Sequence, residues 1–152
     1  MRKTQLLLAF VFSTVTVFAQ ITAYKVITSV ESIVPGGMGR SRIVENNQEV
    51  NYKAFTTTRV DGKDRNSKDI KRKDLKIDNL NETKLLNFYS VAGINFQNIA
   101  SNDAIISSKL NDSSVEGWDL VHVVSGVESD SGEEDGNGIF ITRYIFKRIL
   151  DN

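Results

Sequence analysis

β-branched and apolar residues recur with polar ones from Ala23 to Val34, through Val26, Ile27, Thr28, Val30 and Ile33. That pattern predicts a strand. Pro35-Gly36-Gly37-Met38-Gly39 punctuates it as a loop, and Ser41 to Glu45 is expected as a short return strand before a turn at Asn46-Asn47. Val50 to Val60, with Tyr52, Phe55 and three threonines, predicts a third strand and completes an antiparallel meander. From Asp61 to Asn79 Lys and Arg interleave with Asp, and only Ile70, Leu75 and Ile77 could anchor the segment. It is expected to be a mobile, solvated loop, with at most a short strand at Leu75 to Ile77. Lys84 to Val91 predicts a strand ended by Gly93. Asn98 or Ser101 is placed to cap a helix running to about Glu116, with Ile99, Ile106 and Leu110 on one side and Ile105 beside them. Gly117 closes that helix in the left-handed conformation. Trp118 to Val127 and Ile139 to Ile149 are strong strands, and the polar stretch from Glu128 to Gly138 makes them a hairpin around an exposed acidic loop.

The N-terminus has another logic. Met1-Arg2-Lys3 is positive, Leu6 to Phe18 is an apolar run, and Val17 and Ala19 fit the −3 and −1 sites of a signal peptidase. Residues 1–19 therefore read as a signal peptide, with Gln20 as the mature N-terminus and no transmembrane segment after cleavage. The expected location is the periplasm or the cell surface. No cysteine follows the apolar run, which excludes a lipid anchor there. Residues 20–152 suit one α+β domain: a meander over 20–60, a charged loop over 61–80, and a strand–helix–strand–strand unit over 84–149. The expected architecture is one antiparallel sheet of five or six strands with one main helix packed on one face.

Charge is uneven along this stretch. Residues 20–80 hold 12 Lys/Arg against 8 Asp/Glu, and residues 81–152 hold 5 against 11. The near-balance offers no general field for nucleic acid. The asymmetry leaves an oligomer open, although a solvated surface explains it as well.

Candidate chemistry is sparse. His122 is the single histidine and there is no cysteine, so a zinc site lacks its usual ligands. Alternation places His122 on the face of Trp118, Leu120 and Val124, as a sheet-face histidine. No nucleophile elbow supports a Ser-His-Asp triad. Gly36, Gly37, Gly39, Arg40 and Arg42 could cradle an anion through converging N–H groups and two guanidinium groups, although no helix follows to make a phosphate loop. The alternative is a hairpin loop with exposed arginines. Asp130, Glu133, Glu134 and Asp135 offer oxygens for weak calcium binding, but their spacing misses the EF-hand pattern and a solvated loop is the simpler reading. No cofactor is implied. Phe140, Tyr144 and Phe146 fall on one face of the last strand and Ile139, Ile141 and Ile145 on the other; both are apolar, so the strand is central or one face meets another molecule.

The helix, Gly117-Trp118-Asp119-Leu120-Val121 and Tyr144-Ile145-Phe146-Lys147-Arg148 resemble a small bacterial domain-of-unknown-function family with the signature Tyr-Lys-Val, helix, Gly-Trp-Glu-Leu-Val, Phe-Lys-Arg. Asp119 stands where that family has Glu. Its opening strand corresponds to Tyr24-Lys25-Val26 by letters or to Phe88-Tyr89 by position. The whole chain resembles uncharacterised exported proteins of Gram-negative bacteria through Ser32-Ile33-Val34-Pro35-Gly36-Gly37 and Gly138-Ile139-Phe140-Ile141-Thr142-Arg143. The resemblance implies a compact α+β fold rather than an activity, with Gly117 stopping the helix and Trp118 covering the helix–sheet junction. The expected function is a non-enzymatic binding or interaction module whose partner is an envelope protein or a small ligand. The alternatives are an envelope-acting hydrolase using carboxylates and a structural or assembly component.

Overall fold

A computed structural model describes residues 20–35, 41–64, 67–128 and 138–150. The fold is α+β. Nine strands occur among these residues: β1 (Ile21–Ser32), β2 (Arg42–Asn46), β3 (Arg59–Val60), β4 (Lys63–Asp64), β5 (Leu80–Lys84), β6 (Tyr89–Ser90), β7 (Gly93–Ile94), β8 (Asp119–Glu128) and β9 (Ile139–Leu150). One α-helix, α1 (Phe96–Val115), lies between β7 and β8. Five strands form an antiparallel sheet in the order β5-β2-β1-β9-β8. Its spine is the β1–β9 pair, which runs from Ile21 opposite Leu150 to Ser32 opposite Ile139. These are the two longest strands, and apolar side chains on both faces suit central strands.

The register assigns the faces. Lys25, Ile27, Ser29 and Glu31 stand opposite Phe146, Tyr144, Thr142 and Phe140. Ile27 and Ser29 also stand opposite Glu45 and Ile43 of β2. This core face carries three of the buried apolar residues, Ile27, Ile43 and Phe146; Leu85, just after β5, joins them. Ile105, Ile106 and Leu110 of α1 pack against that cluster, with Trp118 and Tyr144 at its edge. Each fully buried side chain of this size contributes about 2 kcal/mol.

Several expected elements differ. The strand over Val50 to Val60 is instead a turn of 3-10 helix at Tyr52–Phe55 followed by β3. The Asn51 carboxamide accepts from Lys53 N and starts that turn, a local bond that competes with extended pairing. The place beside β2 belongs to β5. Within 61–79 the described residues carry short elements: Asp61 and Gly62, both at positive φ, make a tight hairpin of β3 and β4, and 3-10 turns occur at Ser67–Asp69 and Arg72–Leu75. No strand forms at Leu75 to Ile77; the strand comes later, at β5. The expected strand from Lys84 to Val91 gives way to a connection leading into the small β6–β7 hairpin. The helix starts earlier than expected because Asn95, rather than Asn98 or Ser101, is its cap: Asn95 Oδ1 accepts from Asn98 N at 3.1 Å. Gly117 closes the helix at φ +83° as expected.

Candidate functional site

A mid-helix asparagine ties the sheet, the helix and the β5–β6 connection together. Asn102 is fully buried. Its Nδ2 donates to Glu31 Oε1 and to the Leu86 carbonyl, both at 2.7 Å, and its Oδ1 accepts from Leu86 N at 2.8 Å. Burial raises the Glu31 carboxyl above its ordinary 4.5; the Asn102 bond opposes this, and the Asp103 charge adds to the rise. Beside this lock, Ser41 Oγ accepts from Ser32 N and donates to Asn87 Oδ1, each at 2.9 Å. The Ser125 and Thr142 hydroxyls meet at 2.8 Å, while the buried Ser29 Oγ has no partner among the described groups.

At the other end of the helix stands a cationic cluster. Lys25 Nζ donates to Ser113 Oγ at 3.3 Å and to Glu116 Oε2 at 3.2 Å, and lies 3.5 Å from Glu45 Oε1. Lys109 Nζ reaches the other Glu45 oxygen at 2.6 Å. Lys25 and the Arg148 guanidinium both lie over the Trp118 ring, 5.0 and 4.5 Å from its centroid. Arg148 also donates to the Glu116 carbonyl at 3.2 Å. Two cations thus sit at the helix C-terminus, where its dipole favours them. Trp118 is partly buried and packs against the core cluster. Tyr24-Lys25-Val26 lies in the main sheet beside β9, whereas Phe88-Tyr89 leads into the small hairpin.

The second face of the sheet is different. The register places Tyr24, Val26, Thr28 and Val30 of β1 there, with Ile141, Arg143, Ile145, Lys147 and Ile149 of β9. Val44 of β2 and His122 and Val124 of β8 complete it. Tyr24 is 69% exposed, Ile149 50%, and Val26 and Val124 46% each. His122 does not share a face with Leu120. A bulge between Leu120 and His122 shifts the register, so Leu120 stands opposite Phe146 on the core face and His122 opposite Ile145 on the second face. His122 is exposed.

Of the anion-site residues, Gly36, Gly37, Gly39 and Arg40 lie outside the described residues. Arg42 is held on β2 by Glu82, with its Nη1 at 2.8 Å from both carboxylate oxygens. Asp130, Glu133, Glu134 and Asp135 also lie outside the described residues, as do residues 1–19. Among the described residues no group of three or more His, Cys, Asp or Glu converges, and no helix is long and apolar enough to cross a membrane. A shallow cleft of about 130 Å³ lies between Val50, Phe55, Leu75 and Ile77. It has room for a few waters, and Gln48, Glu49, Asn51, Asp74 and Lys76 share its lining with the apolar residues.

Sequence reasoning missed Asn102 and Glu31. A signal existed: Asn102 falls on the stripe of Ile99 and Ile106, where a polar side chain needs a buried partner. Compared with protein-family models, curated proteins and solved structures, the chain matches none.

Proposed function

We propose that the chain is an exported, non-enzymatic interaction module of the periplasm or cell surface. The helix packs on the core face alone, and the second face of the sheet is the docking surface for an envelope protein. The observation that supports this reading is the open apolar area of Tyr24, Val26, Val124 and Ile149, around the half-buried Val30, Val44, Ile141 and Ile145. Apolar surface combined with charge marks interaction sites; here Arg143 and Lys147 of the central β9 stand within the area, and Glu82 and Glu128 lie on the two edge strands. An open sheet face supplies area without an enclosed cavity, which suits a protein better than a small ligand. Glu31 is the residue that favours the hydrolase alternative, yet its carboxylate is occupied by Asn102 beneath the helix.

Export rests on the Val17-x-Ala19 pattern, and the mass of protein from the native envelope should correspond to a chain starting at Gln20. The docking face is tested by photo-crosslinking in living cells. A photoreactive residue at Val26 or Ile145 should give a discrete adduct, and one at Ser107, on the exposed outer side of the helix, should give none. Equal labelling from both sides would contradict the reading.

A further inference from the structure

The last strand of the sheet carries an inference beyond that reading, because it concerns an edge rather than a face. β8 ends the five-strand sheet, so one row of its N–H and C=O groups has no strand partner among the described residues. Its side chains are exposed throughout: Leu120 44%, Val121 43%, Val123 46%, Val124 46% and Val127 63%. Lys, Arg and Pro, the residues that usually guard an edge, are absent from it. The bulge lies near its start, between Leu120 and His122, and leaves His122 to Glu128 regular.

We propose that β8 pairs antiparallel with β8 of a second copy of this chain, about a two-fold axis at Ser125. The register follows from the faces. His122, Val124, Gly126 and Glu128 share the second face, and Val123, Ser125 and Val127 share the core face. A continuous sheet must set like faces opposite each other, so the axis passes through a residue and not between two. An axis at Val123 sets His122 opposite Val124 and, once the bulge is accommodated, Asp119 opposite Gly126, so neither His122 nor Asp119 gains a polar partner. An axis at Val124 leaves His122 opposite Gly126 and, across the bulge, sets Asp119 opposite Glu128, a like-charge pair. An axis at Ser125 sets His122 opposite Glu128 of the partner subunit, twice, with Val123 opposite the partner's Val127, also twice. It needs no bulge and juxtaposes no like charges. Opposite charge or hydrogen-bonding pairs and β-branched pairs are the units that stabilise sheet pairing, and an isologous contact requires this self-complementarity. The second copy is favoured over an arbitrary extended peptide because β8 itself carries the complement to His122. The pair joins two sheets into one of ten strands and makes one continuous surface of the two second faces.

Seven residues a side is a small interface, so a concentration-dependent equilibrium is expected rather than a permanent dimer. Sedimentation equilibrium of the purified protein from about 1 to about 200 µM should show monomer and dimer. His122→Glu sets two carboxylates opposite each other and should weaken association about tenfold. The double variant His122→Glu/Glu128→Lys restores opposite charges in the same register and should regain the parental constant. Both side chains are exposed, and circular dichroism confirms that the variants keep the fold. A monomer at every concentration would overturn the proposal, even one that binds an extended peptide. So would a dimer indifferent to His122→Glu, or a double variant that is not rescued. None of these outcomes bears on photo-crosslinking from Val26, so failure of the edge and failure of the docking face are separable.

Discussion

The two edges of the five-strand sheet are built on opposite principles. β5 is five residues long, Leu-Asn-Glu-Thr-Lys, and carries a charge pair to its neighbour through Glu82 and Arg42. β8 is ten residues long, and its interior is valine, leucine, serine, glycine and one histidine. Main-chain pairing capacity is the same per residue on both. What differs is the penalty for using it: a second strand beside β5 must meet Glu82 and Lys84, whereas one beside β8 meets valines. Short, charged edges resist pairing and long, apolar ones invite it. The polarity of an edge strand is thus a statement about association rather than about the fold of one chain.

Several changes sharpen or break that contrast. The largest effect is expected from Asn102→Ala, which leaves the Leu86 backbone groups and Glu31 without a buried partner. It should cost about 3 kcal/mol or more in denaturant melts, and amide exchange should loosen around Leu86 and β5 before β8. Trp118→Ala removes the ring that Lys25 and Arg148 overlie at the entry to β8. With the ring half-buried, a cost of about 2 kcal/mol is expected, and a parental melt would place this tryptophan outside the core. Glu31→Gln keeps the acceptor for Asn102 but removes the titration. Because the folded state holds the Glu31 proton more tightly than the unfolded chain does, this group favours folding most below its ordinary 4.5, and that contribution is lost as pH rises through the raised folded value. Melts of the Gln variant should be flatter with pH than the parent and more stable at neutrality; an unchanged profile would remove Glu31 as the source. Smallest in stability is Glu82→Val/Lys84→Val, within about 1 kcal/mol because it removes an exposed pair. This variant should nevertheless begin to self-associate through β5 in sedimentation, since the guard has been removed.

The contrast also explains what the sequence could show. β1, β8 and β9 are dense in β-branched residues, and α1 has its stripe at Ile99, Ile106 and Leu110, so these elements were legible from spacing alone. β5 was not: Leu80–Lys84 has no apolar alternation because an exposed, guarded edge buries nothing. The pattern assigns its place to Val50 to Val60, whose threonines and aromatics favour extension in isolation, but whose Asn51 cap starts a 3-10 turn. The Asp61-Gly62 hairpin carried a readable signal inside a segment whose charge drew attention first. Alternation groups His122 correctly with Val124 but wrongly with Leu120, because one bulge reverses the alternation between them, and bulges leave no mark in a hydrophobic pattern. Of the site, the apolar second face of β9 was visible in Ile139, Ile141 and Ile145. The lock of Asn102 on Glu31 was not, since it joins residues 71 positions apart that only the packed fold brings together.

The claim that the two edges differ in kind is tested most directly by hydrogen–deuterium exchange at low and high protein concentration. The outward-facing, alternate amides from His122 to Glu128 should gain protection as concentration rises through the association range, while those of Leu80–Lys84 exchange at the same rate throughout. Protection of both edges together, or of neither, would contradict the account.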